Sequence, residues 1–253
     1  KFRRACENAD RVIAVSDFTK KEIVRYYGIG ESKIDVVYQG CDPIFAKEVA
    51  DEAKKDVSER HNLPGRFLLY VGSIEERKNL LLAVKAVVML HEKGENINIV
   101  AVGRSTPYLD EVVGYAEASG ISHLIHIRHG VNYDDLPVFY KLATAFVYPS
   151  RIEGFGIPML EAITSGLPAI GCTGSCLEEA GGPTSLYVNP DDVEGMADAI
   201  HSVYNDVTLR QNMIAQGKEY ARRFDIAKLT SDLYDVYKTV CGSHRGMGPN
   251  SLL

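Results

Sequence analysis

Short, mostly apolar runs recur along the chain at Phe67–Val71, 97–102, 124–127, Ala145–Tyr148, Ala169–Cys172 and Leu186–Val188, and the residues between them repeat their apolar positions with helical period. A brief apolar run without polar alternation suits a strand covered on both faces. Strands of that kind alternating with helices predict an α/β fold, a doubly wound parallel sheet of about six strands. After Asn189-Pro190-Asp191-Asp192 the pattern turns wholly helical, with helices expected near 193–205, 208–223 and 226–240. The last carries Leu229, Leu233, Val236 and Val240 at helical spacing, so its apolar stripe is expected to be partly exposed in this chain.

Upstream of the six runs, residues 11–15 and 34–38 read as two further strands. Ser16 or Asp17 caps a helix between them that stops near Gly28. Gly40-Cys41-Asp42-Pro43 reads as a hinge. Two strands without the rest of a sheet expose unpaired edges, so this piece is expected to be mobile, protease-sensitive or paired with another chain. Gly28-Ile29-Gly30 lacks the third glycine and the preceding strand of a dinucleotide fingerprint, and reads as a helix stop.

The most specific chemistry lies in Glu153-Gly154-Phe155-Gly156-Ile157-Pro158-Met159-Leu160-Glu161, which follows the run ending at Tyr148-Pro149-Ser150. Pro158 suits the first turn of a helix starting near Ile157. Gly154 and Gly156 leave the preceding backbone open, so a phosphate can approach the unpaired amides of the helix start. With Glu153 before the helix and Glu161 one turn inside it, the carboxylates stand roughly 10 Å apart. That separation matches the reach from a hexose across a diphosphate to a ribose. Taken singly, each glutamate reads as a helix-start or solvated charge. Together, after a buried strand in a βαβ unit, they fall where such folds bind ligands.

A second constellation follows Phe67–Val71, where Gly72-Ser73-Ile74-Glu75-Glu76-Arg77-Lys78-Asn79 leads into a helix over 80–92. Two cations at a helix N-terminus oppose its dipole unless an anion is present. A solvated, neutral Glu-Glu-Arg-Lys run remains the alternative reading.

Composition narrows the partners. A formal charge of −6 over 253 residues argues against a nucleic-acid groove. No apolar run approaches the ~20 residues that span a bilayer, and cytoplasmic residence is the expectation. Five cysteines, Cys6, Cys41, Cys172, Cys176 and Cys241, show no Cys-x-x-Cys pair, so reduced thiols are expected and a structural zinc site is not. His123, His126 and His129 cluster around one predicted strand and read as packed or solvated, only His129 lying near the proposed site. The tail 242–253 reads as a disordered linker.

In the order Gly72-Ser73, Arg77-Lys78-Asn79, Val102-Gly103, Gly130, Pro149-Ser150, Glu153 to Glu161 and Gly166-Leu167-Pro168, the chain resembles the retaining, GT-B-fold glycosyltransferases of family 4, particularly their mannosyltransferase-like members, over about residues 10 to 240. The resemblance implies a Rossmann-like donor-binding domain at 41–225, a remnant of the acceptor domain at 1–40 and a crossover helix at 226–241. It implies that Arg77 and Lys78 neutralise the donor diphosphate, that Glu161 holds the ribose and that Glu153 holds the transferred sugar. Gly72, Ser73 and Gly103 line the site, the backbone of Gly154, Phe155, Gly156 and Ile157 completes it, and the loop Arg128-His129-Gly130-Val131 faces the base. Glu178 and Glu179 compete for one further family position, and both read as structural.

The function so implied is transfer of a hexose, mannose from GDP-mannose by the type of resemblance with UDP-sugars left open, to a saccharide or lipid-linked acceptor held by a domain this chain lacks. The fragment alone is expected to bind and not to transfer. The complete enzyme could then act peripherally at the inner membrane face. No Asp-x-Asp occurs, and Arg77, Lys78 and a helix start can supply positive charge instead, so metal-independent donor binding is expected. Two other readings stand beside this one: a GT-B-like sugar-nucleotide epimerase, and a non-catalytic nucleotide-sugar-binding module.

Overall fold

A computed structural model describes residues 1–245. It divides into two compact units, Cys41–Arg223 and a second formed by Lys1–Gly40 with the C-terminal helix that follows Arg223.

The larger unit is built on six parallel strands: β3 (Phe67–Val71), β4 (Asn98–Val102), β5 (Ile125–Arg128), β6 (Ala145–Tyr148), β7 (Ala169–Cys172) and β8 (Leu186–Val188). Their spatial order is β5-β4-β3-β6-β7-β8. The chain runs outward from β3 to β5, returns, and runs outward again from β6 to β8, so direction reverses between β3 and β6. Register follows the apolar runs: Phe67 to Val71 pair with Asn98 to Val102, and Leu68 and Leu69 pair with Ala145 and Phe146. Every residue of β6 and β7 is buried, as unbroken apolar runs require of strands covered on both faces.

Right-handed crossovers sort the helices into two layers. Helix α4 (Leu80–Glu92) packs on α5 (Tyr108–Ala118) and α9 (Val193–Asn205), while α7 (Ile157–Ser165) packs on α6 (Leu136–Leu142), α8 (Leu177–Gly181) and α10 (Val207–Ala221). Nine of the thirteen residues of α4 are buried, which makes it the most enclosed helix. A polar helix, α3 (Asp51–Arg60), buries Val57 alone and carries no apolar stripe from which it could have been expected.

In the smaller unit, α1 (Phe2–Asn8) buries no residue and likewise left no pattern in the sequence. Strands β1 (Val12–Ala14) and β2 (Ile34–Val36) pair in parallel, each shorter than the expected 11–15 and 34–38. Helix α2 (Asp17–Tyr27) is capped by Ser16, whose side chain accepts from the Thr19 amide, and it ends at left-handed Gly28. Ala14, Ile29 and Ile34 form a small core of their own, with Cys6, Val12, Ile23, Val24 and Tyr27 packed against it.

Helix α11 (Ile226–Arg245) runs past the expected end at 241, so residues 242–245 are helical rather than linker. The rest of the expected tail, 246–253, lies outside the described residues. Leu229 is buried, Leu233, Val236 and Val240 are half-buried, and Tyr234 and Tyr237 are exposed. Ile226 and Leu229 pack on Gly40, and Phe224 meets Tyr38 edge-on at 5.6 Å, which ties this helix to the N-terminal segment.

Candidate functional site

Strand order reverses between β3 and β6, and in an open α/β sheet such a reversal leaves a crevice at the carboxyl ends of the strands. The loops after β3, β4 and β5 enclose a cleft of about 570 Å³ lined by Gly72, Ser73, Gly103, Arg104, Ser105, His129, Gly130 and Val131, over Val71, Val102 and Leu136. Gly103 is required there by close approach: a Cβ would overlap the carbonyl oxygen of Gly72. His129 braces the cleft by joining two of its loops, with Nδ1 2.7 Å from the Gly103 carbonyl and Nε2 3.1 Å from Ser105 Oγ. A carbonyl can only accept, so Nδ1 donates to it, and in the neutral ring Nε2 then accepts from the serine hydroxyl.

Beside this cleft, Glu153 gathers four donors on one carboxylate oxygen. Its Oε1 lies 3.0 Å from Lys78 Nζ, 3.0 Å from Arg77 Nη1, 3.1 Å from Tyr148 OH and 2.8 Å from Ser150 Oγ. Lys78 also donates to Tyr148 OH and stands over that ring, 4.9 Å from its centroid. Arg77 is fixed by Glu75 at 2.7 Å and by the Ile152 carbonyl at 2.6 Å, and the Arg151 amide donates to the Arg77 carbonyl. Burial alone would raise the pKa of Glu153, but the Lys78 charge, the Ser150 hydroxyl and the Arg77 guanidinium outweigh it and hold the carboxyl below its ordinary value. The Lys78 side chain packs against Gly72, within 3.2 Å of the place a Cβ there would take.

The local sequence explains the arrangement. A one-turn 3₁₀ segment, Glu76–Lys78, ends at Asn79 in the left-handed conformation, and this turn rather than α4 itself carries both cations. Asn79 is buried and held by the Pro190 carbonyl at 2.9 Å. Across the crevice, Gly156 opens α7 with φ +107°, and a Cβ there would come within 2.7 Å of Leu177, so both conformation and space demand glycine. Phe155 and Gly156 are buried, Gly154 is exposed and Ile157 is 37 % exposed.

Glu161 projects from the second turn of α7 into a different environment. Its Oε2 accepts from Tyr140 OH at 2.8 Å. Burial pushes its pKa up, the tyrosine hydroxyl opposes that, and the charge of Asp42 adds to it. Cys41 shares the neighbourhood: burial and the charge of Glu161 push its thiol up to about 12. The two carboxylates of the motif are therefore unlike: Glu153 is held ionised among cations, and Glu161 resists ionisation.

The structure thus gathers Gly72, Ser73, Gly103, His129, Gly130 and Val131 around one cleft, with Lys78 packed beside Gly72 and Arg77 and Glu153 joined to Lys78, whereas Gly154, Phe155, Gly156, Ile157 and Glu161 do not line it. Nor does the fold bring the Arg128 side chain there. That guanidinium donates to the carbonyls of His61 and Asn62 at 2.7 and 2.9 Å and so closes the end of α3. Glu178 is exposed on α8, and the carbonyl of Glu179 accepts from Tyr220. His126 bonds Asn98, and His123 faces the His91 ring. Sequence reading missed Arg104, whose signal was its place just after Val102-Gly103, and the supporting roles of Tyr148 and Ser150, which were noticed only as a strand end. Tyr140, buried in α6, left no signal. Among the described residues no group of three or more His, Cys, Asp or Glu is gathered so as to hold a metal, and no helix is long and apolar enough to cross a membrane.

Comparison with known proteins accords with this geometry. Residues 51–220 match the family described as "Glycosyl transferases group 1", and residues 1–45 match "Glycosyltransferase Family 4". The O-antigen chain mannosyltransferase B of Escherichia coli is 27 % identical over 239 residues, 94 % of this chain and 62 % of that enzyme. A glycosyltransferase from Rickettsia africae superposes with a TM-score of 0.84 at 18 % identity, over 95 % of this chain and 67 % of the other. Anabaena HepE, solved in complex with UDP and glucose, gives 0.81 at 17 %, over 92 % and 64 %. The chain spans less than two thirds of the length of the mannosyltransferase. A sheet whose order reverses at β3 and β6, with glycine-bounded loops at that point and a family match covering most of the chain, leads to one assignment: the chain belongs to the group 1 glycosyl transferases.

Proposed function

We propose that this chain is the donor-binding half of a glycosyltransferase that moves a hexose from a nucleoside-diphosphate sugar to a saccharide or lipid-linked acceptor. The observation that carries the reading is the pairing of Lys78 and Arg77 with Glu153 at the reversal of strand order, beside a cleft floored by glycines. Lys78 and Arg77 share the Glu153 carboxylate, Arg77 also meets Glu75, and Lys78 keeps one further N–H donor beyond those given to Tyr148 and Glu153. A diphosphate in the crevice would meet these cations, and as the sugar–phosphate bond breaks the same groups would stabilise the charge growing on the departing phosphate. Because Glu153 already fixes the positions of Lys78 and Arg77, little reorganisation is needed when that charge appears.

In this reading Glu153 orients the two cations and presents what remains of its carboxylate to the transferred sugar. Glu161 accepts hydrogen bonds from the ribose, and the backbone of His129 to Val131 meets the base. GDP-mannose is the proposed donor, supported by the E. coli mannosyltransferase relative, and transfer is proposed to retain anomeric configuration. Metal-independent binding is proposed on the ground that Lys78, Arg77 and the start of α7 supply the charge a cation would otherwise bring. The acceptor is proposed to lie on the part of the enzyme beyond this chain, and a lipid-linked acceptor would bring that enzyme to the inner membrane face.

Calorimetric titration of this chain with GDP-mannose tests the reading. Binding that is weakened roughly tenfold or more by Lys78→Met is expected, as for loss of a charged hydrogen-bonding partner. Equal affinity in both proteins would overturn it.

A further inference from the structure

At the other end of the sheet, the amino ends of β6 and β7 border a second cleft, of about 460 Å³. Ala143-Thr144 before β6 and Gly166-Leu167-Pro168 before β7 form its edge. Lys54, Arg66, Lys141, Arg210 and Lys218 line it, against the single carboxylate of Glu48. In a chain of net charge −6 this is a concentration of charge against the composition.

Part of that charge has local work. Arg66 donates to the Tyr204 carbonyl and Arg210 to the carbonyls of Val203 and Tyr204, so both serve the end of α9. Lys54 meets Asp51, which is 93 % exposed, and Lys141 meets Glu48 only at 3.7 Å. Lys218 stands over Gly166 and has no ion pair among the described residues. Helix carbonyl ends offer partial charge at most, about half a unit each, and cannot neutralise five cations. Lys141 records the excess: burial holds its pKa down, and the charges of Lys218 and Lys54 add to that effect against Glu48. In the floor of the cleft Ser165, 4 % exposed, leaves its hydroxyl with no hydrogen-bond partner. A buried hydroxyl without a partner is uncommon because it forfeits its hydration for nothing in return.

We propose that this cleft is a binding site for a phosphate-bearing ligand. A phosphate brings the negative charge that Lys54, Lys141 and Lys218 lack and supplies oxygens to N–H and O–H donors. Tyr140 lines the same cleft while its hydroxyl donates to Glu161, and Ser165 lies one helical turn beyond Glu161 on α7. Occupancy is therefore placed to be felt at the ribose-holding carboxylate of the proposed donor site. The phosphate can belong to a free phosphorylated metabolite or to a lipid headgroup, and the cleft itself does not depend on the donor-site reading.

The test is thermal melting of the chain with inorganic pyrophosphate, against chloride at matched ionic strength, in three proteins: wild type, Lys78→Met and Lys218→Glu. Lys218 is exposed, so its replacement leaves the core intact. A rise in Tm that persists in Lys78→Met, and that is reduced in Lys218→Glu to what the donor site alone supplies, with apparent affinity of the basic cleft down roughly tenfold or more, is expected. A second arm sediments the three proteins with phosphatidylcholine vesicles with and without phosphatidylglycerol. Lys218-dependent capture by the anionic vesicles identifies the source as a headgroup, and Lys218-dependent response to pyrophosphate alone identifies a free phosphate. No Lys218-dependent response in either arm, or a pyrophosphate response abolished by Lys78→Met instead, overturns the proposal.

Discussion

Glu153 and Glu161 stand on one motif, yet protons act on them with opposite sign. The Glu153 pKa is depressed in the folded chain, so its contribution to stability is present above the unfolded carboxylate value and is lost as pH falls through the folded one. Replacing it with glutamine leaves Lys78 without a carboxylate and Arg77 with Glu75 alone. The expected cost near neutral pH is about 2–3 kcal/mol, below the ~3–5 of a fully buried pair because Arg77 is 43 % exposed. Denaturation of wild type and Glu153→Gln across pH checks this: the gap is expected to close in acid as wild-type Glu153 takes up its proton, and a pH-independent gap would show that charge is not the cause. The Glu161 pKa is raised, so its favourable contribution is present at low pH and is lost as pH rises through the folded value. Glu161→Gln, which can still accept from Tyr140, is therefore expected to raise Tm at neutral pH while weakening donor binding by ~1.5–3 kcal/mol. Melting and calorimetry on the same sample measure both, and a variant that loses stability without losing affinity would remove Glu161 from the ribose.

Among elements, the junction of β3 and β4 is the least forgiving. Gly72 donates its amide to the Val102 carbonyl, and Gly103 lies against the Gly72 carbonyl with no room for a methyl group. Gly103→Ala must push the two loops apart, and a cost of ~1–3 kcal/mol or more, together with loss of nucleotide binding, is expected. Chemical denaturation and titration check it, and a variant of wild-type stability would mean that the loops separate freely. The same strands were the most legible part of the sequence, because apolar runs covered on both faces have few alternatives. All six begin and end within one residue of their expectation. Helices α1 and α3 were illegible for the converse reason: neither buries more than one residue, so nothing periodic marks them. The tail from Gly242 read as disordered linker, yet α11 continues through Gly242 and Ser243 to Arg245.

At the scale of the whole molecule, the sequence carried both halves of the candidate site and not their union. Lys78 and Glu153 lie 75 residues apart, and they meet only because β3 and β6 are neighbours at the reversal of strand order. Local pattern offered Glu153 to a sugar and Lys78 to a helix start, whereas the fold turns each toward the other. Arg128, placed by the resemblance in the base-facing loop, is drawn away by the carbonyls that end α3, a contact 67 residues distant in sequence. The basic cleft is assembled from segments on either side of β6 and β7, and of its lining only Gly166-Leu167-Pro168 stood in a motif, so no local pattern marked the charge that gathers there. If Lys78 and Arg77 supply the charge at the phosphates, transfer by the complete enzyme is expected to persist in EDTA; activity abolished by EDTA and restored by Mn²⁺ would contradict that.

The central claim is that the cations held by Glu153 receive the diphosphate of a nucleotide sugar. The most direct measurement is the change in Tm of this chain across a panel of GDP- and UDP-sugars, made in parallel on wild type and Lys78→Met, since a ligand of the folded state raises Tm by mass action. The account predicts that at least one nucleotide sugar, GDP-mannose foremost, raises the Tm of wild type and that the rise is lost in Lys78→Met. A panel without effect on wild type, or a rise of the same size in the variant, would contradict it.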